Sequence, residues 1–299
     1  MKKFKSVSPD ATRIIKNSFA KNSVYLNTDS SIVFLCGKKI SETSPSARQF
    51  LLEYSQKFLT EYIFFLAEDF FDAYNLPSSK DLLSIEHGLT SYSDCIIIVL
   101  ESESAFAELG AFSIVDDIAK NLIIINDKKY ALEESFINLG PIKKINRISK
   151  FGKIISTDLA TITLSAKELN DKLKKIKRSN RKRIKISNAE DFNGIGGKEK
   201  LLLLLDLINI FEPISSSELV DLLKEILGEG SFEIQFDMGL LSALKLVSKF
   251  ENYYVRNFVE LKYYYDFDKF DSFSLKSLNI NHMNKYDKHK HKTLLRKIS

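Results

Sequence analysis

The sequence is short of the materials that several chemistries need. It has two cysteines, Cys36 and Cys95. Each lies inside an apolar run and no spacing motif links them. That argues against a disulfide framework or a thiolate zinc site and fits a reducing cytosol. Of the four histidines, His282, His289 and His291 sit in the tail and only His87 lies in the body of the chain. A histidine metal cluster or a Ser-His-Asp triad therefore has little to be built from, and no metal is expected. No apolar run approaches the roughly 20 residues that a membrane span needs. The opening Met1-Lys-Lys-Phe-Lys-Ser6 lacks the apolar core of a signal peptide. The expected localisation is cytoplasmic, with no membrane contact.

What is present is enough for real cores: 299 residues, 44% of them hydrophobic, allow about two domains. The net charge is +5, but its distribution says more than its size. The first 150 residues are nearly balanced. Ser165–Ser187 then carries ten Lys or Arg against Glu168 and Asp171, and Lys285–Lys297 is basic again. Blocks of this kind point to a polyanion partner, nucleic acid being the first candidate. The cations expected to make phosphate contacts are Lys174, Lys175, Lys177, Arg178, Arg181, Lys182 and Arg183.

The first half alternates short apolar runs with helical patterns. Strands are expected at Ile32–Cys36, Tyr62–Leu66, Cys95–Leu100 and Leu122–Ile125, with helices near Pro45–Thr60, Ser78–Ser93 and Ser104–Lys120. This alternation predicts an α/β fold, a Rossmann-like parallel sheet with helices on both faces and right-handed crossovers, closing within Glu133–Asn146. Residues 151–197 read as a basic, largely helical connector that ends at the Gly-rich break Asn193-Gly-Ile-Gly-Gly197. Beyond it, Lys198–Phe211, a capping box Ser215-Ser-Ser-Glu218 opening Glu218–Leu227, and Phe236–Phe250 read as three helices. The aromatic, alternating stretch Asn252–Phe267 reads as a hairpin. Three helices followed by a β-ribbon is the order of a winged helix-turn-helix. The expected domains are thus 1–150, 151–197 and 198–299, the last mostly helical with a basic tail.

Chemistry points to the carboxyl ends of the strands, where open α/β sheets bind ligands. Glu68 and Asp69 follow the second strand, Glu86 lies in the helix leading into the third, and Glu101 and Glu108 follow the third. Glu108, in Ser104-Ala-Phe-Ala-Glu-Leu-Gly-Ala-Phe112, is placed in the first turn of the helix that follows the buried run Cys95–Leu100. A ring of carboxylates suits a reaction that develops positive charge, such as N-glycosidic cleavage through an oxocarbenium-like transition state. One carboxylate stabilises the cation or attacks C1 of the ribose; another holds hydroxyls or handles a proton. Helix-dipole and capping roles would place the same residue types there.

Residues 32–141 resemble the nucleoside 2-deoxyribosyltransferase-like proteins. The resembling pieces are Phe34-Leu-Cys-Gly37, Ala67-Glu-Asp-Phe70, Leu83-Ser-Ile-Glu86 with Asp94 eight residues on, Ala105-Phe-Ala-Glu-Leu-Gly-Ala-Phe-Ser113, and Ser135-Phe-Ile-Asn-Leu-Gly-Pro141. With the second half included, the chain resembles retron effector subunits, which join such a domain to a winged-helix DNA-binding domain. By position the resemblance implies Glu108 as the catalytic glutamate and Glu86 as its acidic companion. It implies substrate contacts at Gly37 and Asp69, with Glu101 and Ser104 beside them. Ser102 stands where the transferases often carry an Asp six residues before the glutamate, and Ser104 replaces a turn glycine. The function implied is that of a toxic effector in an anti-phage system, an N-glycosidase acting on NAD or a related nucleotide. NAD would then be a substrate, and no cofactor is expected. The implied partners are the retron reverse transcriptase and msDNA, its branched RNA–DNA, which would restrain the enzyme, and a second copy of the α/β domain in a homo-oligomer. Two other readings stay open on the residues alone: a DNA-binding regulator that senses a nucleotide without turnover, and a deoxyribosyltransferase of nucleotide salvage.

Overall fold

The computed structural model describes residues 7–27, 30–41, 43–74, 81–176, 181–257 and 262–298. The chain divides into two compact units, Ser30–Arg178 and a second made of Met1–Asp29 with Ser179–Ser299. Its first elements, helix α1 (Pro9–Ala20) and strand β1 (Val24–Leu26), belong to the second unit.

The first unit is the α/β unit. Its elements in order are β2 (Ser31–Cys36), α2 (Ala47–Phe58), β3 (Tyr62–Phe65), α3 (Ala67–Ala73), α4 (Leu82–Thr90), β4 (Cys95–Val99), α5 (Glu103–Ile114), α6 (Asp116–Ala119), β5 (Leu122–Asp127), α7 (Lys143–Ile148), β6 (Ile155–Thr157) and α8 (Ala166–Leu173). The five strands form one sheet in the order β3-β2-β4-β5-β6, every pair parallel. The runs Ile32–Cys36, Cys95–Val99 and Leu122–Ile125 are buried throughout, as central strands covered on both faces must be. The α/β expectation therefore holds, and all four strands lie where the apolar runs placed them.

Several boundaries differ. The predicted helix Pro45–Thr60 begins at Ala47, because Ser46 caps it by accepting from the Gln49 N–H at 3.1 Å. The predicted helix Ser104–Lys120 breaks at Val115, whose backbone is extended, into α5 and α6. The unit also runs past 150. Phe151, Ile155, Ile162, Leu169, Leu173 and Ile176 pack into the same core as Val33, Leu35, Ile97 and Ile125. The buried Lys172 ammonium donates to the Phe151 carbonyl at 3.2 Å and to that of Lys153. The first part of the stretch expected as a connector is thus the fifth strand and last helix of the sheet domain, and the rest, from Ser179, belongs to the second unit. Burial of its apolar side decides this, and its basic character reflects the opposite, solvated side.

The second unit continues with β7 (Lys182–Ile184), α9 (Ala189–Gly194), α10 (Gly197–Phe211), α11 (Ser216–Leu227), α12 (Gln235–Ala243), β8 (Val247–Phe250), β9 (Tyr253–Arg256), β10 (Tyr265–Phe267), α13 (Ser272–Tyr286) and α14 (Lys288–Ile298). β1 pairs antiparallel with both β10 and β7, so the N-terminal segment completes this unit rather than the sheet domain. Ser8 reinforces the attachment, its N–H donating to Asn279 Oδ1 at 3.1 Å. The centre is α10, whose residues Lys200–Phe211 are all buried. The predicted capping box is present: Ser215 accepts from the Glu218 N–H, and Glu218 accepts from the Ser215 N–H at 2.9 Å. The hairpin lies earlier than expected. It joins β8 to β9 with Phe250 opposite Tyr253, and its two-residue turn puts Glu251 at φ 55. Glu251-Asn252 lacks the glycine that marks such turns in a sequence. Tyr265–Phe267 pairs with β1 instead. The order α10, α11, α12, β8–β9, with a bridge between Ile214 and Tyr254, is the one on which the winged-helix expectation rests. Among the described residues no helix is long and apolar enough to cross a membrane.

Candidate active site

After β2 the chain pairs β3 on one side and then crosses to place β4 on the other. The carboxyl ends of β2 and β4 therefore flank the switch point of the sheet, the place where such folds open a crevice. β2 ends in Cys36 and Gly37. β3 runs straight into α3, whose first turn holds Glu68 and Asp69. β4 leads through Glu101 to Ser102, which caps α5 by accepting from the Ala105 N–H at 3.4 Å. Glu108 is the sixth residue of α5, in its second turn rather than its first. The helix dipole acts within the first turn, so it does not account for a carboxylate at this depth.

The hub of the site is Arg48, a residue that the sequence reading passed over. It is 3% exposed. Its guanidinium forks the Glu68 carboxylate, with Nη1 to Oε2 at 3.2 Å and Nη2 to Oε1 at 2.5 Å. Its backbone N–H and that of Ala47 donate to Glu101 at 3.0 and 2.7 Å, so Glu101 caps the N-terminus of α2. Its stem packs on Gly37. A Cβ there would lie 3.0 Å from Arg48 Cδ and 3.3 Å from the Val99 carbonyl, and Gly37 has φ +153. Only glycine fits that approach. One sequence signal was available. Arg48 shares the core stripe of α2 with Leu51 and Ser55, and a cation on a buried stripe has to have a partner.

Arg48 stands among three carboxylates. Burial, reinforced by the charge of Glu86, raises the Glu108 carboxyl from 4.5 to about 8, with Arg48 opposing. Burial raises Glu86 as well, followed by the charge of Glu68. The Cys36 thiol donates to the Glu108 carboxyl; burial and the negative charge of Glu108 hold that thiol well above its ordinary range, so it is not a nucleophile. Glu108 Oε2 is buried with no hydrogen-bond partner. A buried acceptor without a partner at a strand end is a group that a substrate hydroxyl or a developing cation would satisfy.

The structure thus gathers Glu108, Glu86 and Gly37 around one crevice, with Glu68 and Arg48 added. Glu101 accepts from the α2 backbone at Ala47 and Arg48. Ser104 is exposed, its hydroxyl 3.0 Å from that of Ser102, and Asp69 is half-buried beside Glu68. Among the described residues no cluster of His, Cys, Asp and Glu is arranged to hold a metal ion.

The basic run is divided between the two units. Lys174 and Lys175 lie in the α/β unit, where Lys174 pairs with Asp171 at 3.3 Å and Lys175 donates to the Phe151 carbonyl at 3.1 Å. Lys177 and Arg178 fall outside the described residues. Arg181, Lys182 and Arg183 belong to the second unit. Lys182 pairs with Glu199 at 2.7 Å, whereas Arg181 and Arg183 turn to Tyr25.

Comparison with known proteins gives concordant results. A family model described as STM3845 retron effector protein matches residues 44–251. An Escherichia coli protein named "Retron Ec73 putative ribosyltransferase/DNA-binding protein" is 31% identical over 280 residues, covering 86% of this chain and 87% of the relative. A second, "Retron Ec86 putative ribosyltransferase/DNA-binding protein", also from Escherichia coli, is 31% identical over 193 residues, 59% of this chain and 61% of the relative.

Proposed function

The chain belongs to the STM3845 retron effector protein family, and from that premise we propose that its α/β unit cleaves the N-glycosidic bond of NAD or a closely related nucleotide. The observation that carries the reading is Glu108: a carboxyl at the switch point, raised by burial, with one buried oxygen that has no hydrogen-bond partner. The name ribosyltransferase borne by both relatives supports chemistry at a ribose carbon.

In this reading the nucleotide's ribose enters the crevice with C1 toward Glu108. The positive pyridinium of NAD favours the ionised carboxylate, so Glu108 gives up its proton to solvent as substrate binds. The C–N bond breaks, its electron pair leaving on nicotinamide, which departs neutral and needs no acid. Glu108 stabilises the ribosyl cation or bonds to C1. Water then adds at C1, either to the cation or by displacing Glu108 as the C1–O bond breaks and its electron pair returns to the carboxylate, and surrenders a proton to the carboxylates or to solvent. Glu86 holds the ribose hydroxyls, and the Arg48 guanidinium, forked on the Glu68 carboxylate, holds that side chain in place. The second unit, with its winged-helix order and its cations, engages the retron's branched RNA–DNA and the reverse transcriptase, and that engagement holds the enzyme silent until infection releases it.

The test is incubation of the purified full chain with NAD, deoxynucleoside triphosphates and deoxynucleosides, with products read by mass spectrometry, beside Glu108→Gln. Nicotinamide and ADP-ribose from the wild type alone are expected. Base exchange between deoxynucleosides would assign a transferase instead. NAD loss and toxicity equal for wild type and Glu108→Gln in cells would overturn the role of Glu108.

A further inference from the structure

The second unit has the helix order of a DNA reader but not the charges of one. The helix in third place, α12, contains no Lys or Arg, and Asp237, Met238, Gly239, Leu240, Leu241 and Ala243 on it are buried. A recognition helix contacts bases and phosphates from an exposed polar face, which α12 does not offer.

The cations stand elsewhere, on the edge strand of the sheet β10-β1-β7. Along residues 181–186 the side chains alternate between the two faces of the strand. Ile184 and Ile186 point inward and are 5% and 1% exposed. Lys182 shares their side and is tied to Glu199. Arg181, Arg183 and Lys185 point outward and are exposed. Among the described residues none of these three has a carboxylate partner. Arg183 lies within β7 and Arg181 and Lys185 flank its two ends, so the three put exposed positive charge along this edge. Two of them are fixed by one aromatic ring. Arg183 pairs across the sheet with Tyr25, and its Nε and Nη2 donate to the Tyr25 hydroxyl at 3.2 and 2.8 Å. The Arg181 guanidinium lies 4.4 Å from the centroid of the same ring. Asp266, on the far side of Tyr25, forms an ion pair with neither.

Holding two like charges on one ring without a counter-ion is unfavourable unless an anion joins them. A guanidinium stacked on a ring keeps its edge N–H groups free for phosphate. A single phosphate would be met by a pocket; cations spread along a sheet edge match a linear polyanion. We propose that Arg181, Arg183 and Lys185, ordered by Tyr25, form the nucleic-acid site of this effector, and that it grips the sugar–phosphate backbone of one strand rather than reading a major groove through α12. The inference rests on the nucleic-acid part of the function proposed above and is independent of the glycosidase part.

The test uses the full chain and a fluorescein-labelled 20-nucleotide single-stranded DNA, with anisotropy followed across a salt series. Each phosphate contact on a single strand adds about 0.7 to the slope of log K against log salt. The double variant Arg181→Gln/Arg183→Gln is expected to lose about 1.4 from that slope and at least tenfold in affinity at about 0.1 M salt. Tyr25→Phe keeps the ring and frees Arg183, and should weaken binding a few-fold with the slope nearly unchanged. Gln235→Ala on α12 should bind as the wild type does. Unchanged slope and affinity in the double variant, with the thermal transition also unchanged, would overturn the site. So would loss of binding in Gln235→Ala, or wild-type protein that binds anionic phosphatidylglycerol vesicles but not the oligonucleotide. NAD turnover measured on the same variants keeps the two readings apart: failure here leaves Glu108 untouched.

Discussion

Glu108 should make the α/β unit less stable as pH rises, and replacing it should remove that dependence. The carboxyl is raised from 4.5 to about 8 by burial and by Glu86. Below about pH 4.5 it is protonated in both the folded and the unfolded chain and contributes nothing to their difference. Between 4.5 and 8 the unfolded chain ionises it and the folded one does not, so the folded state binds the extra proton and loses ground with each pH step. Above 8 both are ionised and the full cost is present. At about 1.4 kcal/mol per decade of proton concentration, that cost is about 5 kcal/mol. Glu108→Gln keeps the shape and abolishes the charge. Its transition temperature should be near that of the wild type at pH 5 and higher by about 10 °C at pH 9, taking about 2 °C per kcal/mol for a unit of this size. The assay is thermal unfolding of both proteins at half-unit pH steps from 4 to 9.5. Other titrating groups are common to the two proteins and cancel in the difference. A gap that is the same at pH 5 and pH 9 would show that Glu108 ionises as freely in the fold as in water, and the electrostatic account of the site would fail.

Further consequences follow from the same geometry. If the ionised carboxylate does the chemistry, kcat/KM for NAD should climb with pH and level off near 8; a profile flat from 6 to 9 contradicts this. Arg48→Met removes the cation that opposes the rise at Glu108, so the midpoint of that profile should move to higher pH, a shift that a purely structural defect does not produce. Glu101→Ala should cost about 1–2 kcal/mol in urea unfolding through loss of the α2 cap, while KM for NAD stays within about twofold of wild type. Gly37→Ala places a Cβ 3.0 Å from Arg48 Cδ, and should destabilise by about 1–3 kcal/mol and abolish turnover. Wild-type stability in that variant would show that Arg48 does not pack as described.

The sheet was readable because its strands are continuous apolar runs with helices between them, a local signal that survives without knowledge of the fold. The acidic residues at the strand ends were readable for the same reason, since strand order along the chain already puts them on one edge. Arg48 was not, because its importance lies in what it touches. Glu68, Gly37 and Glu101 come from three different strand ends and meet only when the sheet forms. Glu101 shows the same limit: its position near the site suggested substrate, and only the fold shows that its carboxylate caps α2 through the Ala47 and Arg48 N–H groups.

The basic stretch 165–187 marks the division most clearly. Sequence alone determined that it is basic, that the first half of the chain is an α/β unit, and that Glu108 follows a buried strand, because composition and periodicity are properties of neighbours along the chain. Only the tertiary structure decided that this stretch is cut between two units, that α1 and β1 pack with the far end of the chain, and that Arg181 and Arg183 share a ring with Tyr25 more than 150 residues away. Those facts depend on pairings between distant strands and on which side of each element is buried, and no window of sequence contains both partners.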